Sequence, residues 1–288
     1  MRYKEEEVLK RVAIGSAQFG MDYGAMNRTG QPPIEEVRRI LEFARKEGVS
    51  CLDTAAAYGE SESVLGEIGV CDWQVITKLQ PGENPEDSLA RSLERLKCDQ
   101  IYACLAHSAE EWQRAGVVEA LRQAKEDGKV QKIGVSVYNP DEYRACRKHA
   151  DLDLVQFPFN VVDQRMKQSG LISEMFDEGI ELHARSIFWQ GLLLAEPEDL
   201  PEGLGKRADL LDEWHGETSV VPKLESALAF VLAEELIDKI VVGAETFEQI
   251  EDTLGAMEIA ANLDDVPDGG LVASDDPLLV EPRHWQKN

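Results

Sequence analysis

No stretch of this chain is apolar for long enough to cross a bilayer, and its first residues, MRYKEEEVLKRVAIG, are too charged for a secretory signal. Positive charge is scarce: 30 Lys and Arg stand against 55 Asp and Glu, a formal balance of −25. Such a field repels nucleic-acid phosphates and anionic lipid, so neither nucleic acid nor a membrane is expected as a partner. The acids are spread along the chain rather than gathered in a tail, which reads as solubility or as adaptation to high salt. The five cysteines (Cys51, Cys71, Cys98, Cys104 and Cys146) include no C-x-x-C pair, and each is expected as a small buried apolar residue in a reducing cytoplasm. The five histidines show no metal-ligand spacing, so no metal site is expected. G-x-S-x-G, P-loop and G-x-G-x-x-G patterns are missing as well.

What the chain does contain is an alternation. Eight short β-rich runs, RVAIGSAQF (11–19), SCLDTA (50–55), WQVITKL (73–79), IYACLAH (101–107), KIGVSVY (132–138), DLVQFPF (153–159), IELHARSIF (180–188) and KIVVGAE (239–245), are separated by longer amphipathic segments. The first of those, PPIEEVRRILEFARKEG, has Pro and acids at its start and Gly at its end, as a helix should. Strand cores such as VITK, IGVS and IVVG are apolar on successive residues, the mark of strands buried on both faces. Eight strand–helix units in 288 residues predict an α/β fold, a closed (β/α)8 TIM barrel, over an open doubly wound sheet, whose glycine fingerprint is absent after the first strand. No linker divides the chain, so one unit spans 1–288. The barrel would run from about 11 to 258, with 196–221 as a loop over the mouth and 259–288 as a tail crossing it. A monomer is the default expectation.

Barrel enzymes carry their chemistry where strands end at the C-terminal face. Asp53 ends the second strand and Tyr58 follows in its loop; Lys78 ends the third strand and His107 the fourth. Taken singly, an acid at a strand end is usually a turn or helix cap, and a lysine is usually solvated. Together on three neighbouring strands they would converge. An ammonium beside a phenol lowers the phenol's pKa, a carboxylate keeps that ammonium charged, and a histidine orients a carbonyl oxygen. Such a set polarises a carbonyl, and the hydride to reduce it must come from a nicotinamide.

At these residues the chain resembles the aldo-keto reductase superfamily, from about residue 11 to about 258. The resemblance is carried by LDTAAAYGESESVLG, ITKL, LAHS, KIGVSVYNPDEY, LVQFPFNVVDQR and VVGAETFEQIEDTL, and RSIFWQGLLL is similar to a bacterial branch. It implies Asp53, Tyr58, Lys78 and His107 as the catalytic tetrad, with Asp53 also near the cofactor. It implies Ser136 and Gln156 on the nicotinamide carboxamide, and Gly15 and Ser16 beside the first strand. Arg185 would stack on the nicotinamide ring, and Ser186, Phe188, Gln190, Gly191 and Leu192 would run along the pyrophosphate. Gly243, Glu245, Thr246 and Gln249 would meet the adenosine end, where the free N–H groups of a helix start suit phosphate. Gln18, Phe19, Phe159 and Trp189 are expected around the substrate, a small carbonyl compound.

Three positions depart from the family's pattern. Val137 stands where an Asn commonly follows the Ser of GVS, leaving one carboxamide bond missing or supplied by Asn139. Arg185 replaces an aromatic residue. Glu245 stands where a basic residue often meets the 2′-phosphate of NADP; a carboxylate there favours NAD. NADP is the family's default, with Lys223 or Arg207 as rescuing cations, and NAD is the alternative. Two other readings stand beside carbonyl reduction: a Schiff-base aldolase using Lys78, and a nicotinamide-binding barrel that senses redox state with little turnover.

Overall fold

The structure is a computed structural model that describes residues 5–200, 204–218, 221–263, 266 and 269–285. Eight strands form one closed parallel barrel in chain order: β1 Val12–Gly15, β2 Cys51–Asp53, β3 Gln74–Lys78, β4 Ile101–Ala106, β5 Val130–Ser136, β6 Leu154–Pro158, β7 Glu181–Arg185 and β8 Lys239–Gly243. β1 closes the ring by pairing with β2 through Gly15 and Asp53 and with β8 through Gly15 and Gly243. Helices fill the connections. Helix Ile34–Lys46 buries Val37, Ile40, Leu41 and Ala44, a stripe at helical spacing that packs onto the strands. Helix Pro85–Leu96 starts on Asn84, whose side chain accepts from the Asp87 amide at 3.0 Å, with Pro at the first turn.

Side chains alternate along each strand, and the alternation makes two cores. Ala13, Cys51, Ile76, Ala103, Leu105 and Leu154 fill the barrel interior. Val12, Ile14, Leu52, Val75, Val155, Phe157, Leu182, Ala184, Ile240 and Val242 point outward into the larger layer beneath the helices. At the N-terminal end Glu181 accepts from Tyr102 Oη at 2.6 Å, contacts His183 Nε2 at 2.6 Å and pairs with Lys132.

Four expectations are corrected. The strand expected over 11–19 stops at Gly15, after which Ala17–Gly20 forms a single helical turn. The segment 196–221, expected as a loop, contains helix Lys206–Glu217, anchored by buried Leu211 and Trp214, whose Nε1 donates to Leu193 O at 3.0 Å; residues 201–203 and 219–220 lie outside the described residues. Cys71 and Cys98 are joined by a disulfide, while Cys51, Cys104 and Cys146 are free and buried. The tail expected over 259–288 begins with the last turn of helix Phe247–Ala260, and 264–265, 267–268 and 286–288 lie outside the described residues. Its end is pinned by Glu281, fully buried, which takes Arg165 at 2.6 Å and Arg283 at 2.5 Å. No helix among the described residues is long and apolar enough to cross a membrane.

Candidate active site

The inward phase of the strands brings Gly15, Asp53, Lys78, Ser136, Gln156, Arg185 and Gly243 to the C-terminal rim of the barrel. His107 lies one residue beyond β4, in phase with the inward Ala103 and Leu105. Lys78 Nζ contacts both Asp53 carboxylate oxygens at 2.8 Å and donates to Thr54 O at 2.9 Å. Gln156 Nε2 donates to Asp53 Oδ1 at 2.7 Å. The pair is almost fully enclosed, with side chains only 1% and 5% exposed. Lys78 Nζ lies 5.1 Å from the centre of the Tyr58 ring, and the His107 ring meets Tyr58 edge-on with centroids 5.9 Å apart. The four ionisable residues expected at the strand ends therefore share one small volume.

The charge balance differs from the expectation in one respect. Burial, and then the Asp53 carboxylate, raises the Tyr58 pKa well above its usual 10, with Arg185 working against them. The Lys78 ammonium beside the ring is offset by the Asp53 carboxylate at contact distance. Burial pulls the Lys78 ammonium below its ordinary range, while Asp53 opposes that fall. Burial also takes His107 down to about 4, helped by Lys78 and Arg185 and opposed by Asp53, so the imidazole is neutral near pH 7.

The Tyr58 loop is fixed by two glycines. A Cβ on Gly20 would lie 1.9 Å from Tyr58 O, and one on Gly59, whose φ is +54°, would lie 2.2 Å from Gly20 O. This contact, sealed by Glu60 N donating to Gly20 O at 3.1 Å, needs two residues without side chains. Beneath it, Ser16 Oγ donates to Asp53 O at 2.9 Å and accepts from Ser61 Oγ at 2.7 Å, tying the loop to β2.

A cavity of about 490 Å³ opens from this rim. Of the residues expected to hold a dinucleotide or substrate, Gly15, Ser16, Gln18, Asp53, Arg185, Ser186, Phe188, Gln190, Gly191, Gly243, Glu245 and Gln249 line it, as does Tyr58. Ser136 and Gln156 do not line it but adjoin residues that do, Arg185 and Asp53: Gln156 Oε1 is buried without a hydrogen-bond partner among the described residues, and Ser136 Oγ accepts from Arg185 Nε at 3.2 Å with its own O–H left to donate. An acceptor and a donor so placed suit a carboxamide. Asn139 does not replace the missing Asn: its Oδ1 caps helix Pro140–His149, accepting from the Asp141 and Glu142 amides at 3.1 and 3.0 Å.

Other expected residues lie elsewhere. Phe19, Phe159, Trp189 and Leu192 are fully buried core residues and do not line the cavity. Phe159 shares the outward phase of Val155 and Phe157 and packs on Phe230 at 5.1 Å, while Trp189 packs edge-on against Trp285 at 5.8 Å. Thr246 is the cap of helix Phe247–Ala260, accepting from Gln249 N at 3.3 Å. That helix start is not free for phosphate as expected, because Phe247 N donates to Glu36 Oε1 at 2.7 Å. Neither Arg207 nor Lys223 lines the cavity: Arg207 stacks on Trp285 at 4.6 Å, and Lys223 donates to Ala195 O at 2.8 Å and pairs with Glu196 at 3.0 Å.

One wall has no counterpart in the sequence reading. Tyr23, Gly24, Met26 and Asn27, from the connection after β1, line the cavity opposite the β7 loop. Tyr23 Oη accepts from Gln190 Nε2 at 2.9 Å, Thr29 Oγ1 donates to Glu245 Oε2 at 3.0 Å, and Arg28 pairs with Asp199 at 3.0 Å. The segment forms a strap across the cavity. Its only local signal was Asn27, which shapes the turn by accepting from Thr29 N and Gly30 N.

A parallel barrel with ionisable side chains gathered at the C-terminal rim belongs to the class of barrel enzymes whose loops hold the reactants. Residues 11–268 match the Aldo/keto reductase family, and the chain belongs to that family. It is 27% identical over 281 residues to an NADH-specific methylglyoxal reductase of Escherichia coli (strain K12), covering 78% of this chain and 83% of that one. It is 30% identical over 211 residues to an aldo-keto reductase of Mycobacterium sp. (strain KMS), covering 67% and 75%. Among solved structures, an aldo-keto reductase from Bacillus halodurans in its holo form superposes with a TM-score of 0.69 at 21% identity, covering 90% of this chain and 94% of that one.

Proposed function

We propose that this oxidoreductase is an NADH-dependent reductase of small aldehydes and ketones, with Asp53, Tyr58, Lys78 and His107 as its catalytic residues. The observation that carries the proposal is the meeting of the buried Asp53–Lys78 pair with Tyr58 and His107 beside a cavity of about 490 Å³ that Asp53 and Tyr58 line. When bound, a dihydronicotinamide supplies the hydride, which no side chain can provide. Ser136 and Gln156 would hold its carboxamide, and the β7 loop residues Ser186, Phe188, Gln190 and Gly191 would lie along its phosphates. As the carbonyl carbon gains a C–H bond and its C=O π bond breaks, the oxygen takes the proton of the Tyr58 hydroxyl. The raised Tyr58 pKa keeps that proton in place until an alkoxide, a much stronger base, develops. His107, neutral, orients the oxygen by a hydrogen bond, and solvent returns the proton to Tyr58 through the open cavity.

The preference for NADH rests on the other end of the cavity. Glu245 and Asp252 line it, and Glu36 occupies the helix start beside them. Arg39, beside that helix start, pairs with Glu36 at 2.8 Å and stacks on Phe247 at 4.6 Å. A 2′-phosphate would meet carboxylates, whereas ribose hydroxyls would be accepted by them. The Schiff-base alternative loses ground, because the Lys78 ammonium spends its three N–H groups on Asp53 and Thr54. A cytoplasmic location goes with a consumer of reduced nicotinamide; the Cys71–Cys98 disulfide weighs the other way.

The test is titration with NADH and NADPH by fluorescence, then multiple-turnover assays on small carbonyls beginning with methylglyoxal. Tyr58→Phe is expected to lower the hydride-transfer step by about 100-fold or more while NADH still binds. Near-normal turnover by that variant, or turnover that stops after one equivalent of NADH in the unaltered chain, would refute the reading.

A further inference from the structure

Arg185 is the only cationic side chain among the described residues that line the cavity, and it stands at the end that holds Asp53 and Tyr58. Its surroundings are unusual for this acidic chain. Its Nε donates to Ser136 Oγ at 3.2 Å, one terminal nitrogen to Ser186 Oγ at 3.3 Å and the other to Val137 O at 3.2 Å, all neutral oxygens. No carboxylate pairs with it among the described residues. Its carbon end lies 4.3 Å from the centre of the Tyr138 ring. The opposite comparison is Arg283, which lies 4.2 Å from the same ring but is neutralised by Glu142 and Glu281, at 2.6 and 2.5 Å.

Three of the five guanidinium N–H groups are thus committed, and one remains on each terminal nitrogen, enough donors for both oxygens of a carboxylate. Asp53 cannot serve as that partner, because Lys78 and Gln156 already take its oxygens. The reaction end of the cavity therefore carries an excess positive charge, and its far end, with Glu245 and Asp252, a negative one. That charge is felt where the chemistry occurs: Arg185 acts to lower the pKa of both Tyr58 and His107.

We infer that Arg185 is a substrate-recognition residue that binds a carboxylate, so that the preferred substrates are carbonyl compounds bearing an acid group: oxo-acids rather than neutral aldehydes. This rests on the carbonyl-reduction reading and narrows it to a substrate class. The bracing by Tyr138, Ser136 and Ser186 would hold the guanidinium in place before the substrate arrives, and the absence of a paired acid leaves its charge for the ligand.

The experiment compares matched pairs, 4-carboxybenzaldehyde with its methyl ester and 4-oxobutanoate with butanal, using the full chain and NADH. The acid member is expected to have the higher kcat/KM by at least about tenfold in one or both pairs. Arg185→Met should bring that ratio to about one, and Arg185→Lys should retain part of it, whatever either change does to overall rate. NADH affinity, measured separately by fluorescence, distinguishes a loss of cofactor from a loss of selectivity. A ratio near one in the unaltered chain, or the same ratio in Arg185→Met, overturns the inference while leaving carbonyl reduction standing. If no aldehyde is turned over, carbonyl reduction itself has failed, and the anion site is decided by calorimetry with 4-hydroxymethylbenzoate and its methyl ester. Tighter binding of the acid that disappears in Arg185→Met supports the site; equal binding overturns it.

Discussion

Replacing Asp53 by Asn removes the charge from one half of a buried ion pair and leaves the other half stranded. The Lys78 ammonium, 1% exposed, has both carboxylate oxygens at 2.8 Å, and little else nearby can replace them except Thr54 O at 2.9 Å. Breaking a buried pair from one side costs about 3–5 kcal/mol, most of it the cost of an uncompensated charge. For a domain of this size each kcal/mol moves the melting midpoint by roughly 2–4 °C, so Asp53→Asn should melt at least about 6 °C lower. Lys78→Met should cost a similar amount, because the carboxylate then lies buried with only Gln156 to donate to it. The double variant is the decisive one. With both charges gone nothing is stranded, and it should be more stable than the sum of the two losses predicts by about 2 kcal/mol, within the range of contacting residues. Thermal and urea denaturation followed by circular dichroism measure all three. A single Asp53→Asn melt within about 2 °C of the unaltered chain, or strict additivity in the cycle, would refute the view that the pair acts as one compensated unit.

Acid titration of stability should report His107 and Glu181. The His107 pKa falls from 6.5 to about 4 on folding, so its contribution is complete above 6.5 and is lost as pH falls toward 4; it amounts to at most about 3 kcal/mol, and His107→Gln should flatten that limb in urea melts. Burial alone would raise the Glu181 pKa, but hydrogen bonds from His183, Lys132 and Tyr102 take it down to about 2, so its contribution is present above about 4.5 and fades between there and 2. Glu245→Arg should shift the ratio of NADPH to NADH affinity toward NADPH by about tenfold or more, read by fluorescence titration, since it turns a repelling carboxylate into a phosphate-binding fork. Thiol titration of the unfolded, unreduced chain should count three free cysteines rather than five, the disulfide accounting for Cys71 and Cys98; five would remove the bond.

The rim was legible because strands buried on both faces announce themselves as apolar runs, and each run ended on the residue that mattered: Asp53, Lys78, His107. The same period-two logic, applied one step further, assigns Phe159 to the helices' side with Val155 and Phe157, away from the substrate. The short helices at Ala109–Gln113 and Arg165–Gln168 contain too little sequence to show a period. Helix Lys206–Glu217 did carry a signal, Leu211 and Trp214 three apart, but it was diluted by charge on either side. Contacts between distant segments were not readable. The disulfide spans 27 residues and exists because of how two connections pack. The Tyr23–Gln190 and Thr29–Glu245 bonds depend on a strap whose sequence carries no motif.

The pairing of Val12 with Ile240 has a consequence for biosynthesis. As the nascent chain leaves the ribosome, the first strand must wait with one edge open until the eighth has emerged, roughly ten seconds or more at ordinary translation rates. An unpaired edge of that kind invites addition of a foreign strand. Chaperone demand during synthesis should therefore be set by this one late seam rather than by the helices, which mature piece by piece.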